Sequence, residues 1–324
     1  MTGARPVGDL LPRLLTTLAP YQAAVLRIGV ATAWGGFLLR EWPNRRVLYG
    51  DRSPWSAELN ARLLADTHAF TLLAWNDGRW WFEAVYLLAL AAAAAMLLGW
   101  RTRASSAVFA LTVLSLQNRD VFVGDGGDNV VHLMAIYLVF TRCGAVWSLD
   151  ARRRARRGAD DPTAWSEPRA VLDALAAMLH NCAMLVVAVQ VVLVYATAGW
   201  YKVQGSRWQD GTAVHYPLHL GYFSPWPELS ALLGASLVVT FLLSYGTVIA
   251  QVAFPFTLAN RRLKNALLAV MIGEHLAIAV VLGLPFFSLA MIAADAVFLP
   301  TAALLAVERR LTGRQPTGGP PGSR

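Results

Sequence analysis

The sequence predicts an all-α, polytopic integral membrane protein of about eight transmembrane helices, with one short extracytoplasmic interfacial helix. Three observations carry that prediction. Of 324 residues, 56% are apolar and only 15% charged, against about 25% charged in soluble domains. Too few ionic groups remain to coat a water-facing sphere of this size. Apolar runs near the roughly 20 residues needed to cross a bilayer recur along the chain, and basic clusters punctuate them. A disordered chain is excluded, and an ordinary cytosolic enzyme does not fit.

The runs fall at 21–39, 80–100, 104–118, 128–142, 171–201, 230–259, 265–283 and 285–307. Two of them, 104–118 and 128–142, are short, which suits tilted helices or a broken pair. Ser53 to His68 has mixed polarity and opens with the start signal Ser-Pro-Trp-Ser, so the interfacial helix is placed there. Residues 1–20 lack an apolar stretch followed by a cleavage site, so no signal peptide is expected. They read as a cytoplasmic N-terminal segment, 21–307 as the transmembrane domain, and 308–324 as a disordered, Pro/Gly-rich cytoplasmic tail.

Net charge is +8, from 26 Arg and two Lys among the basic residues. Arg clusters in short loops of an apolar chain set membrane orientation. They do not indicate a nucleic-acid partner. Arg101 and Arg103, the Arg152–Arg157 cluster, Arg261, Arg262 and Lys264, and Arg309, Arg310 and Arg314 all fall on one side if eight spans alternate. Both termini and the basic loop 143–170 are then cytoplasmic, in a multi-pass protein of the cell membrane. Arg40, Arg45, Arg46 and Arg52 are exceptions, in a loop that also holds Glu41 and Asp51. The other side receives residues 40–79, 119–127, 202–229 and the corner Gly283–Pro285. Cys143 and Cys182 are too few for a disulfide framework or a Cys-rich zinc site, and their positions argue against pairing.

Polar residues inside the apolar runs mark the candidate chemistry. Tyr195, Gly199 and Lys202 fall on one helical stripe, and the small residues Ala196, Ala198 and Gly199 allow a neighbouring helix to approach closely. Two readings of Lys202 stand. A desolvated amine favours its neutral form and becomes a base, which an arginine could not; alternatively the lysine anchors a helix end at the interface. His275 beside Glu274 is either functional or satisfied by its neighbour, and Asp295 reads first as structural. Asp125-Gly126-Gly127-Asp128-Asn129 reads as a capped turn, with Asp128 or Asn129 leading the next helix. His180 reads as core. His215 and His219 share a separation that metal ligands use, but Pro217 intervenes and no third ligand is evident, so no metal site is assigned.

Several blocks resemble the HTTM family (horizontally transferred transmembrane domain), whose best-known member is the vitamin K-dependent γ-glutamyl carboxylase. One comprises Trp81, Val85-Tyr86, Met96, Leu98-Gly99, Arg103 and Ser105. The central block is Gln190, Tyr195, Ala198-Gly199, Lys202, Trp208 and Gly211. Others are His275 with Phe287-Ser288, and Trp147-Ser148 with Asp150. The likeness extends over about residues 20–300. It implies that Lys202 deprotonates a reduced naphthoquinone of the vitamin K or menaquinol type, at an outward-facing site. In the carboxylase, oxygen consumption then drives γ-carboxylation of peptide glutamate, and the quinone leaves as its epoxide. Two departures set this chain apart: Gly126-Gly127 stands where the carboxylase has an Asn-His pair, and 324 residues leave no room for its large luminal domain.

Residues and resemblance together predict a quinol- and oxygen-dependent membrane enzyme, a lyase or oxidoreductase. Lys202 and His275 are its catalytic candidates. Tyr195, Gly199, Trp208 and Gln190 are the cofactor-binding candidates, and Asp125, Asp128 and Trp208 line an outer mouth. Expected partners are membrane lipid, the quinol and a secreted peptide. The alternative is a non-catalytic membrane factor that binds or matures such a peptide.

Overall fold

The computed structural model describes residues 15–157 and 167–313. Residues 1–14, the centre of the basic loop 143–170 and the tail beyond Gly313 lie outside the described residues, and with them the expected disorder of that tail. Among the described residues the fold is all-helical, without strands. The main helices are α1 (Pro20–Arg40), α2 (Ala57–Thr67), α3 (Arg79–Leu98), α4 (Thr102–Gln117), α5 (Gly126–Val139) and α6 (Leu149–Arg157). They continue as α7 (Glu167–Gln204), α8 (Pro227–Gly234), α9 (Leu237–Thr257), α10 (Arg261–Val281), α11 (Pro285–Asp295) and α12 (Thr301–Thr312).

Five of these, α1, α3, α7, α9 and α10, are long and apolar enough to cross a membrane. The multi-pass membrane character therefore stands. Helices α4 and α5 have 16 and 14 residues, short of the roughly 20 required. Two expected spans are broken. The run 230–259 divides into α8 and α9, because Ser236 takes an extended conformation and caps α9 by accepting from the Val239 N–H at 3.3 Å. The run 285–307 divides into α11 with a 3-10 turn and α12, which meet at 112°. Pro300 at that corner drives Leu299 into an extended conformation, as a proline does to the residue before it.

The hairpin differs in register from its predicted form. Asp125 caps α5, and Asp128 is the third helical residue. Asp125 Oδ1 accepts from the Gly127 and Asp128 N–H groups while Asp128 Oδ2 accepts from the Asp125 N–H at 2.8 Å, a reciprocal capping box. The helix expected within 53–68 appears as α2, with Ser56 accepting from the Leu59 N–H. Both cysteines are free.

Helix α1 packs against α3, α5 and α11, while α7, α9, α10 and α11 pack against one another in succession. One cation ties this core together. Arg27 is fully buried and donates to the carbonyls of Met96, Leu97, Cys143 and Trp147. Two of these belong to the last turn of α3, whose carbonyls have no partner within the helix. Gly99 ends that helix at φ 66°, and a Cβ there would lie 2.3 Å from the Ser148 Cβ. Only glycine meets both demands. His180 is core, as expected: its Nδ1 accepts from the Arg142 N–H at 2.9 Å.

Candidate functional site

Helix α7 presents Tyr195, Gly199 and Lys202 towards α9 and α10. Gly199 is where α7 and α9 touch, since a Cβ on it would lie 2.9 Å from Val252 Cγ2 and 3.0 Å from the Val252 N. That close approach brings Gln251 of α9 within reach of Lys202. Lys202 Nζ donates to Gln251 Oε1 at 2.8 Å and lies 5.2 Å from the centroid of the Trp208 ring, within range of a cation–π contact. Gln251 Nε2 donates in turn to Glu274 Oε1 at 3.1 Å. Lys202 forms no ion pair among the described residues and uses one of its donors. The other lysine, Lys264, is engaged with a backbone carbonyl, that of Phe298.

A second polar group lies deeper on the same stripe. Tyr195 is buried, and its hydroxyl lies 3.0 and 2.9 Å from the two carboxyl oxygens of Asp295 and 3.2 Å from His275 Nε2. A phenol has one hydrogen to give. With that hydrogen directed to Asp295, the Tyr195 oxygen accepts from Nε2–H of His275, and Nδ1 keeps its lone pair. This Nδ1 is buried without a hydrogen-bond partner among the described residues. The His275 ring also packs edge-on against Phe287, at 5.6 Å.

Glu274 and His275 therefore do not satisfy each other. Neighbours on a helix point about 100° apart, so Glu274 faces the Lys202 group and His275 the Tyr195 group. Two other candidates lie apart from the groups with which the sequence associated them. Gln190 lies about 18 Å along α7 from Lys202, where Tyr137 Oη donates to it at 3.4 Å. It lines a small apolar crevice with Val130 and Met291, too far away to share one aromatic ring with Lys202. Trp208 covers Lys202 and is not part of the wall that holds Asp125 and Asp128.

That wall belongs to a cavity of about 840 Å³ at one end of the bundle. All four segments that the charge count assigned to the outer side contribute to it, through Glu41 and Leu48, Phe122 to Gly127, Tyr222 and Phe223, and Gly283 to Pro285. Gly127 lets the Phe287 backbone come near, since a Cβ there would lie 2.6 Å from Phe287 Cα. Phe287 thus stands between the cavity and His275. Lys202 is not in the cavity wall.

Sequence reasoning missed Gln251 as the partner of Lys202 and did not connect Asp295 with the hydroxyl of Tyr195. A glutamine inside the otherwise apolar α9 was the available signal. His215 and His219 stack at 3.9 Å, and His219 Nδ1 lies 2.8 Å from the His215 carbonyl oxygen.

A family model described as the HTTM domain matches residues 65–302. The chain belongs to the HTTM family. No curated protein and no solved structure matches it. The HTTM region takes in α3 to α11 and both polar groups, whereas α1 precedes it. Arg27 and the cavity residues Trp34, Phe37, Arg40 and Glu41 are thus supplied from outside the matched region.

Proposed function

We propose that this HTTM protein is a quinol- and oxygen-dependent membrane enzyme, epoxidase- or carboxylase-like, in which Lys202 is the base. The carrying observation is the arrangement around Nζ: an amide oxygen at 2.8 Å, an indole face at 5.2 Å and, among the described residues, no carboxylate in direct contact. This donor set fits a phenolic hydroxyl. The amine keeps hydrogen-bonding capacity for a ligand, and Trp208 offers a flat surface. Bound there, a reduced naphthoquinone would supply an acidic hydroxyl and two electrons for oxygen. Gln251 orients the amine, and Glu274 holds Gln251. Exposed Trp200 and Tyr201 on the same turn suit an interface that a lipid-soluble reductant reaches sideways. Tyr195 and His275 shape the interior below it.

The proposal includes eight crossings, with α4 and α5 as short or tilted ones and the α11–α12 corner turning the chain at the last. The cavity end faces outwards, and both termini and the 143–170 loop are cytoplasmic. Convergence of the four predicted outer segments on one cavity supports this orientation.

Oxidation of reduced menaquinone by the purified protein tests the assignment. Lys202→Ala and Lys202→Arg should both abolish turnover, because arginine does not give up its proton. Equal rates in wild type and Lys202→Ala would refute the role. A second reading, a non-catalytic factor for a secreted peptide, is favoured by the separation of the cavity from Lys202. Under it Lys202→Arg is harmless, and mass spectrometry of co-purifying molecules finds a peptide and no quinone.

A further inference from the structure

The outer cavity carries a chemistry that the quinol reading does not use. Its inner wall is aromatic, with Trp34 and Phe37 from α1 and Phe286 and Phe287 from α11. Three carboxyl groups border it: Glu41, Asp125 and Asp128. Glu41 is paired at 2.7 Å with Arg40, the one basic side chain in the wall. Asp125 and Asp128 form no ion pair among the described residues. Each directs one oxygen to the backbone of the α5 cap. The second oxygen of each has no hydrogen bond among the described residues.

The rings of this wall already hold a cation of the protein's own. The Arg40 guanidinium carbon lies 5.2 Å from the Phe37 centroid and 4.9 Å from that of Phe286. Its charge is matched by Glu41, so the wall holds two more carboxyl groups than cations.

We propose that this cavity binds an organic cation, an ammonium or guanidinium group carried on an apolar body. Aromatic faces attract the charged head, the free aspartate oxygens accept its hydrogen bonds, and the apolar body fills the space between the phenylalanines. The same wall repels a carboxylate. A glutamate side chain is therefore the wrong ligand for this cavity, in keeping with Gly126-Gly127 in place of the carboxylase Asn-His pair. The proposal stands apart from Lys202 and the quinol.

Equilibrium dialysis of the full chain in dodecyl maltoside, with benzylammonium as probe, tests it. Benzylammonium should bind at least about tenfold more tightly than benzyl alcohol, with benzoate weakest. In an Asp125→Asn/Asp128→Asn variant, whose asparagine at 125 still caps α5, that preference should vanish while benzyl alcohol binding is unchanged. Displacement of benzylammonium by dihexanoyl phosphatidylethanolamine would identify a lipid headgroup as the source of the cation. Failure to displace would support a soluble amine instead. Equal binding of the three benzyl compounds to wild type overturns the proposal, with no variant required. Lys202→Ala should leave benzylammonium binding intact, so failure of the quinol reading and failure of this one are separately visible.

Discussion

Arg27 and Lys202 are both cationic residues that a lipid environment should have excluded, yet their surroundings differ in kind. Arg27 directs its planar fork of donors at four backbone carbonyls from α3 and the segment before α6. Four of its five N–H donors are used, and the group is sealed from solvent. Lys202 touches one amide oxygen and the face of one ring. The first arrangement suits a permanent charge that fastens helices together. The second leaves an amine with donors to spare, at a helix end, among exposed aromatics. Burial alone does not distinguish a structural cation from a reactive one; saturation of its donors does.

Substitution sharpens that contrast. Arg27→Met strands several buried carbonyls, each costing about 1–3 kcal/mol, so thermal unfolding in detergent should show a loss above about 3 kcal/mol, or no folded protein. Lys202→Met strands one acceptor, the Gln251 amide oxygen, and should cost about 1 kcal/mol. Comparable losses at the two sites would erase the distinction. An intermediate effect is expected at Tyr195→Phe, which leaves Asp295 buried without its phenol, a loss of about 2 kcal/mol. Adding Asp295→Asn should recover part of it. A double variant no better than the single one would show that the hydroxyl–carboxyl contact contributes little.

The smallest effect belongs to the Arg27 end and depends on pH. Burial alone would raise the Asp150 carboxyl, but the Thr102 and Arg101 N–H groups and the Thr102 hydroxyl hold it below the ordinary carboxylate range. A folded value below the unfolded one means that stability is fully present above about pH 3.9 and is lost as pH falls through the folded value. Acid titration of unfolding should show this limb in wild type and not in Asp150→Asn.

Much of this was legible beforehand because lipid leaves a blunt signature. The boundaries of α1, α3 and α10 lie within a few residues of the apolar runs that announced them. Gly199 could be assigned to a helix contact from the small residues around it. Other features depended on distances that no local pattern encodes. Lys202 and Gln251 are 49 positions apart, and nothing in either segment says which face of α9 turns inwards. Arg27 was invisible for a different reason: within a span that also ends in Arg40, its charge reads as one more basic residue. The breaks at Ser236 and Leu299–Pro300 were missed because hydropathy stays high across them while the backbone does not.

Helix α7 has 38 residues, an unbroken rod of about 57 Å. A hydrocarbon layer is about 30 Å thick, so even a tilted α7 has turns to spare beyond it. Its early turns are fastened to other parts of the chain, through Arg142 to Asp173 and through Asn181 to the Leu18 N–H and the Thr16 carbonyl. From Val171 to Ala198 the rod holds neither proline nor glycine, and Gly199 is packed against Val252 of α9. One continuous helix thus joins these anchors at one end of the bundle to Lys202 at the other, so the height of the amine is set by where the stem is tied down.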